Sequence, residues 1–220
     1  MDLKKITNSA LIFILKRLIE IIGFIIIIVG LLLLIALVSY SPTDPNFIFP
    51  ENTKIKNILG FQGSYTSDLF FQSIGLISYL IPFTLFFTGI SVFKKKKFLI
   101  IIENIFYVIP YSIAGSLFFS FFYENSFSLY INGNGGFVGN YLNQAFISNL
   151  ISSNEVISYY LLASLIILLF LLSINFNLKY FYSYLKKISK KDNKNYTNKN
   201  EIISEYIPQD EIKNLIQEDL

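Results

Sequence analysis

The chain has 220 residues, enough for one domain of ordinary size. Its residues are 53% hydrophobic and only 15% charged, and the apolar ones form long uncharged blocks instead of the alternating or helical-period patterns of a soluble core. Cys and His are both absent, which excludes disulfides, thiolate metal centres, Cys- or His-dependent catalysis and His proton relays, while a net charge of +3 is too small for whole-chain nucleic-acid binding.

Four blocks can cross a bilayer. No charge lies between Glu20 and Asp44, and residues 69–93, 104–123 and 156–178 are likewise uncharged. About 20 apolar residues at 1.5 Å rise cross a hydrocarbon core of roughly 30 Å. Backbone in lipid must satisfy its own hydrogen bonds, so each block is expected to be a helix. The fold class is therefore all-α: a polytopic membrane protein with a four-transmembrane-helix bundle, two short periplasmic loops and a cytoplasmic tail. Residues 1–17 form a cytoplasmic segment. Residues 18–185 form the membrane domain, with spans at about 21–40, 69–93, 101–123 and 156–178, and residues 186–220 begin a disordered cytoplasmic linker.

Direction follows from the bases beside each span. Lys4, Lys5, Lys16 and Arg17 precede span one, four lysines fill 94–97, and Lys179, Lys186, Lys187, Lys190 and Lys191 follow span four. The opposite loops hold only Lys54 and Lys56, so both termini are assigned to the cytoplasm. Span one is too long for a signal-peptide core, and its one small-x-small site, Ser39-Tyr40-Ser41, runs into Pro42; it is read as a retained anchor.

No span carries a charge at its middle, which removes the usual mark of an ion path or proton relay. Glu103 is read as an interfacial carboxylate, snorkelling or paired with the nearby lysines. Ser112, Ser116 and Ser120 recur every four residues beside Ala114 and Gly115, a pattern that lets helix backbones approach closely in lipid. Gly23 and Gly30 share one face of span one, and Gly75 and Gly89 are expected to share one in span two. Such faces serve contact within the bundle or between protomers. Pro82 is expected to interrupt span two and Pro110 span three.

In the first outer loop Pro42 and Pro45 bracket Asp44, which forces an extended or turn path as the chain leaves the membrane. Asn57, Gly60 and Gly63 then lead to Asp68, an acidic residue at a helix start. The second outer loop carries Gly133-Asn134-Gly135-Gly136-Phe137-Val138-Gly139. It is not a phosphate loop: it has no Lys, and no Gly-x4-Gly-Lys-(Ser/Thr) occurs in the chain. Beyond it Phe137, Val138, Tyr141, Leu142, Ala145 and Phe146 fall on one helical face. A short amphipathic helix is predicted there, on the outer membrane surface or tucked against the bundle.

Together these residues resemble the N-terminal four-span membrane domain of the FtsK/SpoIIIE DNA translocases. Residues 39–47 are similar to the family's S-Y-x-P-x-D-P-x-(W/F), with Phe47 where the family often has Trp. Asn57, Gly60, Gly63 and Asp68 look like its N-x-x-G-x-x-G-x-x-x-x-D, and Phe70, Gly75, Tyr79 and Pro82 continue the likeness. Gly135, Gly136 and Gly139 look like its Gly-Gly-x-x-Gly segment. The resemblance covers about residues 20–180 and implies the membrane anchor of a cell-division DNA translocase. Such an anchor would localise and oligomerise a chromosome-pumping motor at the septum of the bacterial inner membrane. The implied partners are the lipid bilayer, other division proteins and further copies of the chain, a hexamer by likeness. No direct nucleic-acid binding by this chain, no cofactor and no metal are expected.

Residues with an expected interaction or structural role are Pro42, Asp44, Pro45, Gly60, Gly63, Asp68, Gly135, Gly136 and Gly139. No residue is nominated as catalytic, and the chain is not expected to be an enzyme. After Lys186 the tail is first basic and then acidic, with Ile212, Leu215, Ile216 and Leu220 at helical spacing. It is read as a linker with a short partner-binding helix. Such a linker fits either a fragment of a longer translocase or a protein whose motor is encoded separately. Two rival classes stay open, a motor-less envelope scaffold and a small channel or transporter component.

Overall fold

A chain this apolar can satisfy its backbone in lipid only as helix. The computed structural model describes residues 3–45, 54–124, 132–144 and 147–176, with the single positions 183 and 186, and no strand occurs among them. Residues 1–176 form one unit and 177–220 another; the first is the bundle. The expected linker helix near Ile212 lies outside the described residues, as do Asn46, Phe47, Ala145 and Phe146.

The helices are α1 (Leu3–Val38), α2 (Gly60–Ile74), α3 (Leu80–Lys95), α4 (Leu99–Phe122), α5 (Gly136–Gln144), α6 (Ile147–Ser153) and α7 (Glu155–Ser173), with a 3₁₀ segment, Gly75–Tyr79, joining α2 to α3. Four stretches are long and apolar enough to cross a membrane: Asn8–Val38, Gly60–Lys95, Leu99–Phe122 and Glu155–Ser173. The protein is a four-span helical membrane bundle. The segments after α1 and α4 lie at one end, called here the loop end, and the α3–α4 turn with its lysines lies at the other, the lysine end.

Span two is broken, but not at its proline. Pro82 occupies the first turn of α3, where a helix has no partner for the missing N–H. The break falls at Gly75, which caps α2 with φ 72° and ψ −148°, a conformation open to little but glycine. Its cause is a contact with the second loop, described below. Gly75 and Gly89 therefore do not share a helix face. α4 runs through Pro110 as one helix.

Glycine sets the α1–α3 contact. A Cβ on Gly23 would lie 2.8 Å from the Phe93 nitrogen, and one on Gly89 would lie 2.7 Å from the Gly23 carbonyl. Gly30 meets the Pro82 carbonyl in the same way, at 3.1 Å. The glycines of span one thus serve contact within the bundle, where close backbones gain dispersion in the absence of a hydrophobic drive.

α4 and α7 meet through rings instead. The Tyr159 ring lies 5.1 Å from both Phe118 and Phe122, and Tyr111 stands edge-on to Phe170 at 6.1 Å. The Tyr123 and Tyr159 hydroxyls are 2.9 Å apart. Deeper in, a buried polar chain ties three helices. The Thr84 hydroxyl contacts those of Tyr111 (3.1 Å) and Ser173 (3.0 Å). Asn104 donates to Thr88 (2.7 Å) and accepts from Asn175 (2.8 Å). α7 closes at Ser173, short of the expected 178. Asn175 turns left-handed at φ 53°, and the Phe176 N–H returns to the Leu171 carbonyl at 3.0 Å, which stops the helix.

At the lysine end the carboxylate that takes the lysine turn is Glu20 of α1. Its two oxygens are paired separately with Lys96 and Arg17. Glu103 is exposed on α4.

Candidate functional site

The most elaborate polar structure is a cap at the loop end, built from two parts. The first is organised by Asp44. The turn after α1 is closed by the Asp44 N–H bonding the Ser41 carbonyl at 3.1 Å. Pro42 is half-buried here, while Asp44 is 1% exposed and Pro45 is buried. The two prolines set the chain so that the carboxylate points back inward. It accepts the N–H of Lys56 on Oδ1 (2.9 Å) and of Asn57 on Oδ2 (2.8 Å). A buried carboxylate needs such donors, and here the main chain approaching α2 supplies them.

Asn57 extends the clamp. Its Nδ2 donates to the Ala36 carbonyl at the end of α1 (2.9 Å), and its Oδ1 accepts from the Leu59 N–H (3.1 Å). Gly63 is required at the next turn, because any Cβ there would collide with the Asn57 side chain. Gly60 begins α2 with φ 64°, a turn that frees the chain to reverse. Ser64 donates to the Pro45 carbonyl at 2.9 Å. Asp68 lies two turns into α2 and is 6% exposed. It is not a helix-start residue; it accepts from the Tyr40 hydroxyl at 3.3 Å and from Gln72 at 3.5 Å. Burial, and then the charge of Asp68, push the Tyr40 phenol up to about 12, so it remains a donor at neutral pH. The Tyr40 ring packs on Phe71 at 4.7 Å, and Phe71 on Tyr79 at 5.2 Å.

The second part is the glycine loop, which plugs the break in span two. The Asn134 carbonyl accepts the Leu76 N–H at 2.9 Å. A Cβ on Gly75 would overlap that carbonyl, and one on Gly136 (φ 63°) would come within 2.6 Å of the Gly75 nitrogen. Asn132 donates from its main chain and side chain to both oxygens of Gln72, each at 3.1 Å. On the other flank, Gly135 and Gly139 press α5 against α4, where a Cβ on either would strike Ser116 and Ser120. Ser116 donates to the Ile74 carbonyl at 2.8 Å, where α2 ends, and Ser120 donates to Asn140 at 2.9 Å. The serine stripe of span three thus receives both α5 and the end of α2. α5 seats by its glycine face, leaving Phe137 and Tyr141 exposed and stacked at 6.2 Å.

The structure brings Pro42, Asp44, Pro45, Gly60, Gly63 and Asp68 into one cluster, and Gly135, Gly136 and Gly139 into another. Gln72 and Tyr40 link the two through Asp68. Sequence reasoning did not select Tyr40, Asn57, Ser64, Gln72, Asn132, Asn134 or Asn140 as site residues. For the asparagines the signal was the Asn-Gly density of the two loops, which marks turns without naming partners; Tyr40, Ser64 and Gln72 carried no such signal. Among the described residues no group of three His, Cys, Asp or Glu could hold a metal ion. The cap's carboxylates are occupied with main chain and with the Tyr40 and Gln72 side chains, so each joins segments that lie apart in the chain.

This chain matches the family described as the 4TM region of DNA translocase FtsK/SpoIIIE over residues 15–186. The DNA translocase FtsK of Rickettsia typhi is 34% identical over 74 residues, 34% of this chain and 10% of that protein. Those of Azospirillum brasilense and Caulobacter vibrioides are 37% identical over 71 residues and 35% identical over 69, each stretch 31% of this chain and respectively 11% and 8% of the translocase. The matched stretch is thus about a tenth of the length of these curated relatives. No solved structure matches the chain. With a family match that reaches into all four spans and takes in both halves of the cap, the chain belongs to the family of the 4TM region of DNA translocase FtsK/SpoIIIE.

Proposed function

We propose that this chain is the septal membrane anchor of a chromosome-pumping translocase, a non-catalytic part that gives the motor location and an oligomeric platform, hexameric by family likeness. The observation that carries the reading is the match to the family's membrane region across residues 15–186, the stretch that folds as the bundle. The lysine asymmetry of the sequence supports a loop end facing the periplasm, both termini in the cytoplasm, and residence in the inner membrane. Residues 177–220 would then lead toward the motor on the side where DNA lies.

The cap's role in this reading is to give the periplasmic face one fixed shape on which other division proteins can settle. Pro42, Asp44, Pro45, Gly60, Gly63, Asp68, Gly135, Gly136 and Gly139 act by holding that shape. A fluorescent fusion should concentrate at mid-cell, and even membrane fluorescence in dividing cells would sink the septal assignment. The purified chain should not hydrolyse ATP. Because the chain has no cysteine, single cysteines at Lys95 and Ile58 read its direction in intact cells. A membrane-impermeant thiol reagent should reach position 58 and miss position 95; the reverse labelling would overturn the topology.

A further inference from the structure

Between residues 10 and 18, α1 packs against no other described helix. Packing against α3 ends at the Gly23–Phe93 approach and the Glu20–Lys96 pair. Every residue from 8 to 18 is exposed. Six consecutive positions there, Ala10 to Leu15, are apolar, and Leu11, Ile12, Phe13, Ile14 and Leu15 are between 50% and 59% exposed. These five cover every face of the helix, so they form no stripe. A coiled-coil seam or a groove-docking helix would keep a polar face for water. A helix apolar all round belongs inside protein or inside lipid, and no described element of this chain covers it.

Length points the same way. Residues 21–38 alone span about 27 Å at 1.5 Å per residue, nearly a full hydrocarbon core. The apolar stretch Asn8–Val38 has 31 residues, about 46 Å, whereas α7 has 19, about 28 Å. One bundle thus presents the bilayer with two apolar lengths.

Two of the charges inside the long stretch, Arg17 and Glu20, are paired. Glu20 is shared between Arg17 and Lys96, and the Arg17 guanidinium lies over the Phe13 ring at 5.0 Å, a contact that strengthens as water is removed. Lys4, Lys5, Lys16 and Arg17 flank the apolar hexad, with Glu20 the one carboxylate between residues 3 and 43. That balance complements an anionic leaflet.

We propose that residues 8–19 of α1 form a lipid-seated arm, held in the leaflet on the lysine side of the bundle by acyl chains around the apolar hexad and by anionic headgroups on the bases. α1 then crosses the membrane steeply inclined, which is how a helix longer than the hydrocarbon is accommodated.

Spin labels test this on the intact chain, whose lack of cysteine permits single-cysteine variants at Ile12, Phe13 and Leu15 without background. The protein is placed in bilayers containing phosphatidylglycerol, and each label's accessibility to oxygen and to a water-soluble nickel chelate is measured. Phe24, exposed within the same span, is the lipid reference and Lys97 the aqueous one. All three labels should behave like Phe24, high for oxygen and low for nickel. Nickel accessibility like that of Lys97 would place the arm in water, and low accessibility to both would place it against protein, such as a second copy; either overturns the proposal. Replacing phosphatidylglycerol by phosphatidylcholine should shift the three labels toward nickel. An unchanged ratio would overturn the headgroup half of the claim. The positions are surface sites, so labelling leaves the packing between α1 and α3 in place.

Discussion

The loop-end cap and the α4–α7 seam are both ordered contacts, yet they are held by opposite means. In the cap, side chains address main chain: Asp44 takes the N–H groups of residues 56 and 57, Asn57 takes the Ala36 carbonyl, and glycines bring backbone onto backbone at Gly75 and Gly136. In the seam, rings face rings, and one hydroxyl pair joins Tyr123 to Tyr159. A backbone-directed contact has a single solution, because main-chain atoms cannot change rotamer. A ring contact has several, since aromatic pairs tolerate offset and tilt at similar energies. The cap is therefore the brittle region and the seam the adaptable one.

The sharpest way to break this contrast is one methyl group. Gly75→Ala must be strained at φ 72° and must also meet the Asn134 carbonyl, so it should cost about 3 kcal/mol or more. Loss of helicity on titration with SDS would measure it, and a near-neutral result would mean that the plug does not hold span two. Next comes Asp44→Ala, which leaves the buried Asn57 N–H and the partly buried Lys56 N–H without an acceptor, at about 2 kcal/mol; the same titration should show it, along with new protease cutting near residue 56. Thr84→Val in the polar chain between α3, α4 and α7 removes two hydroxyl contacts at nearly constant volume. It should cost about 1 kcal/mol, since polar contacts in membranes average less than that each. Tyr159→Phe keeps the rings of the seam and loses only the hydroxyl pair, for roughly 0.5 kcal/mol. If this last change proved as costly as Asp44→Ala, the brittle–adaptable distinction would fail.

The smallest effect is a matter of pH. The Tyr40 phenol is raised by burial and by Asp68 to about 12 from an ordinary value of 10.0. The folded state therefore holds this proton more tightly than the unfolded state does. That contribution is complete below about pH 10 and is lost as pH rises through about 12. Tyr40→Phe should flatten part of the alkaline fall in stability, as read by melting curves across that range.

The spans were legible in the sequence because lipid imposes a simple rule: about 20 residues without charge must be helix. The serine stripe was legible as a packing face, and so were the glycines of span one. What sequence could not supply was partnership across distance. Pro82 looked like the breaker of span two because proline carries its effect locally, but at a helix's first turn that effect is nil. The true break at Gly75 is imposed by Asn134, which no local pattern connects to it. Asp68 read as a helix-start acid on spacing alone, whereas the helix begins earlier, at Gly60, and leaves Asp68 to hold Tyr40. The two loop-end motifs were legible as turns, and the structure adds what each turn grips.

The plug also fixes an order of events during synthesis. Asn132 and Gln72 are 60 residues apart, with all of α4 between them. When the ribosome has delivered span two, the groups that end α2 and bend the chain at Gly75 have not yet been made. The loop-end half of that span must wait for its partners until α4 and the glycine loop have been made. Completion of span two is consequently tied to a segment made after α4, and a chain stalled within α4 would lack the contacts that end α2 at Gly75.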